Sequence, residues 1–483
     1  MTRAVRGHRR RDGAATIGVV VNGHREAAVL GRTLDSLASS RLYAMERGCS
    51  VDIQLVLDRA DDATIAVARE MKALLAGYVE VDFGNLGAAR QAGLARARNE
   101  WIAFLDGDDL VSSNWLHDAY RCALQAERPR DTVFHTELFI GFGAEVFFRQ
   151  ALRSNDPEFD PLCLIADWFF CNNLFAHRSV FERCPIEPYD HEKGLGAEDW
   201  HWSCQTTAQG FARDYVPRTA YFYRVKPPAL SLGMTGGLVH KASRLYEPEM
   251  VRMLSERLGA RGAAESPRVT PQPQAPRLRR NVPEWAAAHA LDQARAEAQL
   301  VEVARSARAG EGQALTFPPR MHYGAAEFYR RAAPRLADPR AKVGLFWGEN
   351  PRIGGSHLLE RMIEATRNAF PGRQIVVLLE ADGLGGEALE ARSAAEDVVV
   401  LDIAAARHRF QIPSHYLAMV ITRLFLQFEF DAIVNVGARC LDEALSRHDR
   451  AIAHRCGALF ELVPHLTHDR IEEGFNSFLN TLP

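Results

Sequence analysis

The chain has 483 residues, too many for one ordinary hydrophobic core, so its length predicts two or three domains. A hydrophobic fraction of 47% with 25% charged residues is typical of a globular protein, and a net charge of −3 offers no overall basic field for nucleic acid. No CxxC pair occurs among the eight cysteines, and no apolar run approaches the roughly 20 residues that span a bilayer. We therefore expect a cytoplasmic protein without a zinc site, a transmembrane segment or a nucleic-acid partner.

The first 13 residues form a basic tail that contains five arginines and no apolar core of signal-peptide length. We expect this tail to be disordered and solvated. The alternative is that its positive charge attaches the protein peripherally to the anionic inner face of a membrane.

Short apolar runs alternate with helical patterns after this tail, which predicts a parallel α/β sheet. The predicted strands are Thr16–Val21, Val51–Leu57, a short strand ending at Val81, and Trp101–Leu105. The first predicted helix spans Arg25–Leu37, where apolar residues recur with helical spacing.

Acidic residues follow the fourth predicted strand directly, in the order Asp106-Gly107-Asp108-Asp109. Open α/β sheets bind ligands at the carboxyl ends of their strands. Oxygen ligands packed so densely suit a hard divalent cation, such as Mg²⁺ or Mn²⁺, that holds a diphosphate. The alternative is a polar turn after a core strand.

A glycine-punctuated helix start, Asn85-Leu86-Gly87-Ala88-Ala89-Arg90-Gln91-Ala92-Gly93, lies just before that strand. Backbone N–H groups at such a start can bind phosphate. Close packing of small residues between helix and sheet explains the glycines equally well.

Together these segments resemble the nucleotide-binding half of an inverting, GT-A-type family 2 glycosyltransferase over residues ~14–125. Four blocks in the family's order carry the resemblance: Val21 to Glu26, Leu57 to Asp62, Asn85 to Gly93, and Asp106 to Asp109. The departures are Leu57 in place of the family's first Asp, Gly23-His24 in place of Tyr-Asn, and Gln91 in place of Asn.

The resemblance implies that Glu26 and Asp58 contact the nucleoside, that Arg90 lies near the nucleotide and that Asp106 lies by the ribose. An Asp at position 58 can accept the imide N–H of uracil or the ring N–H groups of guanine, so it does not identify the base.

The resemblance also implies that Asp108 is the principal ligand of a Mn²⁺ or Mg²⁺ ion, with Asp109 close by. Arg224 and Lys226 match the family's closing Tyr-Arg segment, where they would close over the diphosphate. The alternative is that these two basic residues are simply solvated after a strand.

Aromatic and amide side chains mix in the stretch Asp167 to Phe175. Asn172 and Asn173 there could bind acceptor hydroxyls, but we favour a packed aromatic core with amides in a turn.

Glu198 and Asp199 open a further predicted helix, where acidic residues suit the helix dipole for structural reasons alone. An inverting transfer needs a general base for the acceptor hydroxyl, and the resemblance places the family's Glu-Asp pair here. We expect Asp199 to be the base and Glu198 to position the acceptor or the chain.

We expect a GT-A domain at 14–258, then a linker at 259–324 that contains one helix, Trp285–Ala309. Strand and helix patterns resume in 325–483 and resemble the N-terminal Rossmann half of a GT-B family 4 glycosyltransferase, with Ile353-Gly354-Gly355 at a helix start. The expected fold is thus α/β, with a Rossmann-like, mostly parallel first domain and a second Rossmann-like α/β domain.

The expected function is metal-dependent transfer of a sugar from a nucleoside diphosphate sugar to a glycan or lipid-linked glycan, as in polysaccharide or glycoconjugate synthesis. One alternative is a nucleotidyltransferase, but that class needs a basic glycine-rich loop after the first strand, which Asn22-Gly23-His24-Arg25 does not supply. Another alternative is a binding or scaffold protein with a decayed transferase domain.

Overall fold

The computed structural model describes residues 15–226, 238–260, 279–309, 313–316, 320–348, 355–380, 397–461, 474–475 and 477. Three predicted features lie outside these ranges: the basic tail at 1–13, the proline-rich part of the linker at 266–276, and the helix-start residues 353 and 354.

The first part of the chain alternates strands and helices up to the acidic cluster and then becomes irregular. Its elements are β1 (Ala15–Gly23), α1 (Leu30–Met45), β2 (Cys49–Asp58), α2 (Asp62–Glu70), β3 (Gly77–Val81), α3 (Leu86–Arg96), β4 (Trp101–Asp106), β5 (Leu110–Val111), α4 (Trp115–Gln125), β6 (Thr132–Gly143), β7 (Phe147–Gln150), β8 (Leu174–His177), α5 (Arg178–Arg183), α6 (Glu198–Ala208), β9 (Ala212–Val225) and α7 (Pro248–Ala260). The helix α1 starts later than predicted, because Glu26 O accepts from the amides of Val29 and Leu30 in a turn.

Strands β3, β2, β1 and β4 are neighbours in that order and all parallel. Beyond β4, the strands β8, β6 and β7 pair antiparallel in succession, and β9 runs parallel to β6. The carboxyl ends of β1, β2 and β4 therefore meet at one edge of the sheet, where the acidic cluster begins.

The predicted linker contains more structure than the single helix that we expected. The residues described there form β10 (Arg279–Asn281), α8 (Glu284–Gln293), α9 (Leu300–Arg308) and β11 (Gln313–Thr316). The prediction of one helix over Trp285–Ala309 is wrong, because the chain turns between α8 and α9. Strand β11 pairs with β7, and the apolar faces of both helices pack on β6 and β9, so these elements extend the first sheet.

The last part of the chain forms a second, five-stranded sheet in the order β14-β13-β12-β15-β16, in which all described strands are parallel. Its elements are α10 (Arg320–Arg335), β12 (Lys342–Trp347), α11 (Gly355–Ala369), β13 (Gln374–Leu379), β14 (Val398–Asp402), α12 (Ile403–Phe410), α13 (Ser414–Gln427), β15 (Phe430–Val436), α14 (Arg439–Ala453) and β16 (Cys456–Glu461). The predicted fold class is confirmed. The domain boundaries stay a prediction.

One hydrophobic core joins the second sheet to the first part of the chain. It contains side chains from the irregular region after β7 and from α7, together with side chains of α10, α13, α14 and the second sheet. Within the described ranges, no helix is long and apolar enough to cross a membrane.

Two glycines lie in helices that pack on the first sheet, and substitution by alanine should have opposite effects on stability at the two positions. A Cβ on Gly93 of α3 would overlap Val20 and lie 3.0 Å from Val56 Cγ2. A Cβ on Gly31 of α1 would meet nothing nearer than Val67 Cγ1 at 3.8 Å. We expect Gly93→Ala to destabilise the protein by about 1–3 kcal/mol, and Gly31→Ala to stabilise it by up to about 1 kcal/mol. Melting temperatures measured side by side test this, and shifts of the same sign would contradict it.

Candidate active site

Three polar side chains end the parallel strands β1, β2 and β4 on one face of the sheet. Asn22, Asp58 and Asp106 each stand two residues after an apolar residue, namely Val20, Val56 and Phe104, that packs in the core beneath α3. Because side chains alternate along a strand, all three point toward α3. On this face of the sheet, the apolar core therefore gives way to a polar site within two residues along each strand.

Arg90 on α3 is the centre of the site. Its side chain is 1% exposed, its Nη2 lies 3.1 Å from Asp106 Oδ1, and its Nη1 contacts Glu198 and lies 3.9 Å from Asp199 Oδ2. Burial alone would lower the pKa of Arg90, but Asp106 and the two acids of α6 hold it above its usual value. One buried guanidinium thus ties α3, the end of β4 and the start of α6 together.

The two acids at the start of α6 have different environments. Glu198 is buried and ion-paired to Arg90, whereas the side chain of Asp199 is 23% exposed. Burial, together with the charges of Glu198 and Asp106, raises the pKa of Asp199 to about 7, against the opposing charge of Arg90. A carboxylate with a pKa near neutrality is suited to take and release a proton.

Asp106 is fixed by a second partner besides Arg90. Asn172 Nδ2 donates to Asp106 Oδ2 over 2.5 Å. The neighbouring Asn173 is fully buried, and its Oδ1 lies 3.4 Å from Thr136 N. Asn172 therefore belongs to the site as a support of Asp106, and Asn173 belongs to the packed core that we favoured.

Asp109 is buried and satisfied within the chain. Its carboxylate accepts from the hydroxyl of Tyr221 and, over 2.7 Å, from the amide of Arg224. Burial, together with the charges of Asp108 and Asp106, raises the pKa of Asp109 well above its usual range. Both of its oxygens face protein donors, so the geometry does not present Asp109 as a metal ligand.

Asp108 remains as the carboxylate that can hold a divalent cation. Its side chain is 15% exposed, and Oδ2 lies 2.8 Å from Lys226 Nζ. Across the described ranges, no three His, Cys, Asp or Glu side chains are grouped to hold a metal. The residues present therefore fit a cation such as Mg²⁺ that binds through one or two carboxylates and takes its other oxygens from phosphate and water.

Arg224 is engaged by the protein rather than free for a diphosphate. Its Nε donates to Asp108 O over 3.0 Å, and its Nη2 lies 2.8 Å from Glu297. Glu297 is 1% exposed and also pairs with Arg32. Burial acts to raise the pKa of Glu297, but the two arginines bring it below its usual value. Lys226, 34% exposed, is the predicted basic residue that stays accessible beside Asp108.

The two predicted nucleoside ligands are also held by backbone amides. Asp58 accepts from the amides of Phe83, Gly84 and Asn85 at 2.8 to 2.9 Å, which fixes the loop before α3. Glu26 accepts from the amide of His24, and burial raises its pKa. Asp58 therefore has a structural role in this geometry, whatever it contacts in addition.

The glycine-punctuated start of α3 is explained by packing. The amide of Leu86 donates to the Tyr189 hydroxyl over 3.1 Å, and Asn85 Oδ1 accepts from the amide of Ala88 over 3.2 Å. A Cβ on Gly87 would lie 2.6 Å from Glu187 O. Two of the amides that could bind a phosphate are thus already bonded within the chain.

Sequence reasoning missed several members of the site. Asn22 is 7% exposed, and neither atom of its amide has a hydrogen-bond partner in the part of the chain that the structure describes. The signal was a polar residue at the end of a buried strand. Tyr221 and Glu297 gave no local signal, because their partners are distant in sequence.

A comparison with protein families finds a match for the first part of the chain. Residues 19–181, less than half of the chain, match the family model described as Glycosyl transferase family 2. This match confirms the predicted family resemblance of the N-terminal part. No curated protein sequence matches the chain.

Solved structures give weaker similarities. S. aureus TarS 1-349 in complex with UDP-GlcNAc is 16% identical, with 66% of this chain and 88% of that chain covered and a TM-score of 0.36. GalNAc-T7 with UDP, GalNAc and Mn²⁺ is 15% identical, with 51% and 48% covered and a TM-score of 0.33. TM-scores this low carry no argument about the fold, and neither similarity supports the predicted GT-B resemblance of the C-terminal part. By the family-model match, residues 19–181 are similar to the family 2 glycosyltransferases.

Proposed function

We propose that the chain is a metal-dependent, inverting glycosyltransferase that moves a sugar from a nucleoside diphosphate sugar to a hydroxyl of a glycan or lipid-linked glycan. The observation that carries the proposal is the partly exposed Asp199, whose pKa is raised to about 7 beside the buried Arg90. The match of residues 19–181 to family 2 glycosyltransferases supports the reaction class.

Asp199 acts as the general base in this mechanism. Its carboxylate removes the proton from the acceptor hydroxyl while the hydroxyl oxygen attacks C1 of the sugar from the face opposite the nucleotide. The new glycosidic bond forms as the bond from C1 to the phosphate oxygen breaks, and the nucleoside diphosphate leaves with that electron pair. Glu198 and Arg90 hold Asp199 at the edge of the sheet.

The leaving group is stabilised on the other side of the site. A Mn²⁺ or Mg²⁺ ion held by Asp108 would offset the negative charge of the diphosphate. Lys226, next to Asp108, adds a second positive charge on the side of the diphosphate. The buried Asn22 amide lies beside Asp106 at the end of β1, and both its donor and its acceptor lack protein partners in the described ranges.

The competing proposal is a decayed transferase that binds without catalysis. The observation in its favour is that Asp58 and Asp109 are both satisfied by the protein itself. Asp199 is not explained by it, because a protein that only binds has no need of a partly exposed carboxylate whose pKa is raised to about 7. We therefore retain the enzyme as the proposed function.

A thermal-shift screen tests the proposal. UDP, GDP, CDP, ADP and dTDP are each added with Mn²⁺, with Mg²⁺ or with EDTA. We expect one base to raise the melting temperature only when the metal is present, and the matching sugar nucleotide to release nucleoside diphosphate slowly in water. UDP with UDP-GlcNAc is the first pair to try. No shift with any nucleotide, or a shift without nucleotide release, would favour the decayed binding protein.

Two neighbouring aspartates should respond differently in the same screen. Asp108→Ala should abolish the metal-dependent shift while changing the melting temperature of the free protein little, since its partner Lys226 is partly exposed. Asp109→Ala should lower the melting temperature of the free protein, because it leaves the buried Tyr221 hydroxyl and the Arg224 amide unpaired, at a cost of about 1–3 kcal/mol per group. Loss of metal response in Asp109→Ala without destabilisation would instead support Asp109 as a ligand.

Asp199→Asn should separate binding from chemistry. Asparagine keeps the size of the side chain but cannot take a proton, so we expect unchanged nucleotide binding and a fall in turnover of at least about 100-fold. Turnover is measured as nucleoside diphosphate release with a saturating donor. Turnover at the wild-type rate would show that another group is the base.

The pH dependence of turnover follows from the same residue. The base must be deprotonated, and burial, with the charges of Glu198 and Asp106, raises its pKa to about 7 against the opposing charge of Arg90. Turnover should therefore rise as the pH increases through about 7 and fall about tenfold per pH unit below it. The residual turnover of Asp199→Asn should not show this fall at low pH. If the fall persists in that variant, it belongs to the titration of another group.

A further inference from the structure

Elements of the second sheet contact the segment that leads into α6. Helices α13 and α14 pack against residues 238–243 and 190–196, which lie beside the start of α6 in the first part of the chain. They connect the C-terminal part of the chain to the two segments that flank the start of α6.

Arg423 on α13 makes the most unusual of these contacts. It is fully buried, and its Nη1 donates to the carbonyls of His240 and Lys241 over 2.9 and 3.0 Å. Its guanidinium lies 5.0 Å from the centre of the Tyr246 ring. No carboxylate pairs with Arg423 in the described ranges, and burial lowers its pKa. A buried cation that binds backbone carbonyls is costly, so its role depends on what those carbonyls hold.

The segment that Arg423 binds rests directly on α6. The His240 ring lies 4.9 Å from that of Trp200, the residue after Asp199. Ser243 receives two contacts: its amide donates to Gln427 Oε1 of α13, and its hydroxyl contacts Gln205 of α6, both over 3.2 Å. Residues 240–243 therefore form a layer between α13 and α6.

Helix α14 supports the residues on the other side of the turn into α6. Arg450 Nη1 donates to His191 O over 3.1 Å, and a Cβ on Gly194 would lie 3.0 Å from Ala451 N. Ala197, directly before Glu198, has a φ of 52°, which is unfavourable for a residue other than glycine. Such a conformation persists only when its surroundings determine it. The contacts of α14 with residues 190–196 supply part of that constraint.

We propose that the C-terminal α/β unit is part of the transferase site and that Arg423 is a positioning residue for it, holding residues 240–243 against α6 so that Asp199 stays beside Arg90. This inference rests on the proposed function, because it assigns Arg423 a role in turnover. Arg423 touches neither Asp199 nor any proposed ligand group.

The test compares turnover with donor binding in Arg423→Met. Methionine fills much of the volume but leaves the carbonyls of His240 and Lys241 without their donor. We expect kcat for nucleoside diphosphate release to fall roughly 10- to 100-fold, with the donor KM and the nucleotide thermal shift close to those of the wild type. Arg423→Lys, which keeps a donor, should recover part of kcat.

Met362→Ala is the control for a general loss of stability. Met362 is buried between α11 and the second sheet, in a core on the side away from the first part of the chain. It should lower the melting temperature without lowering kcat at a temperature where the protein is folded. Should Arg423→Met fail to fold, Gln427→Ala removes the adjacent contact to Ser243 and should lower kcat in the same way.

The outcomes separate the two proposals. Wild-type kcat in folded Arg423→Met, or in Gln427→Ala if that variant is needed, would overturn the positioning role. An equal loss of kcat in Met362→Ala would overturn it too, since the effect would then be one of stability. Absence of nucleotide binding and release in the wild-type protein would instead overturn the proposed function.

Discussion

The interaction on which the site depends is the burial of Arg90 among three carboxylates. A guanidinium withdrawn from water is costly unless charged partners satisfy it, and Asp106, Glu198 and Asp199 supply that charge from β4 and α6. Because an arginine presents its donors in a rigid, planar arrangement, it fixes the direction of its partners as well as their distance. The relative positions of α3, β4 and α6 are thus set by one side chain.

In the proposed function, two pairs of adjacent acids divide structural and chemical roles. Glu198 is buried against Arg90 while Asp199 stays partly exposed, and Asp109 is bound by Tyr221 and Arg224 while Asp108 faces Lys226. In each pair the buried acid holds its segment in place through its partners. The position of that segment then determines where the neighbouring acid lies. Environment, rather than residue type, separates the roles, as is usual where two carboxylates act together.

The sequence alone predicted what depends on local pattern. Continuous apolar runs identified β1, β2, β4 and four strands of the second sheet, β12 to β15, but not β16. The acids at the start of α6 marked the candidate base. The roles of Asp58 and Arg224 could not be predicted, since their partners are backbone amides and Glu297, which lie in other segments. The break between α8 and α9 was missed for a similar reason: helix propensity is high throughout, and the turn is stabilised by packing on β6 and β9.

The two parts of the chain are joined by a shared hydrophobic core and by Arg423. The core that joins them contains α7, α10 and α13, and Arg423 crosses from one side of it to bind the carbonyls of residues 240 and 241. Arg423 is fully buried without a carboxylate partner in the described ranges, so the two carbonyls of the first part are what offset the cost of its burial. The C-terminal unit is therefore packed into the first part through shared buried contacts, as the proposed role of Arg423 in holding α6 requires.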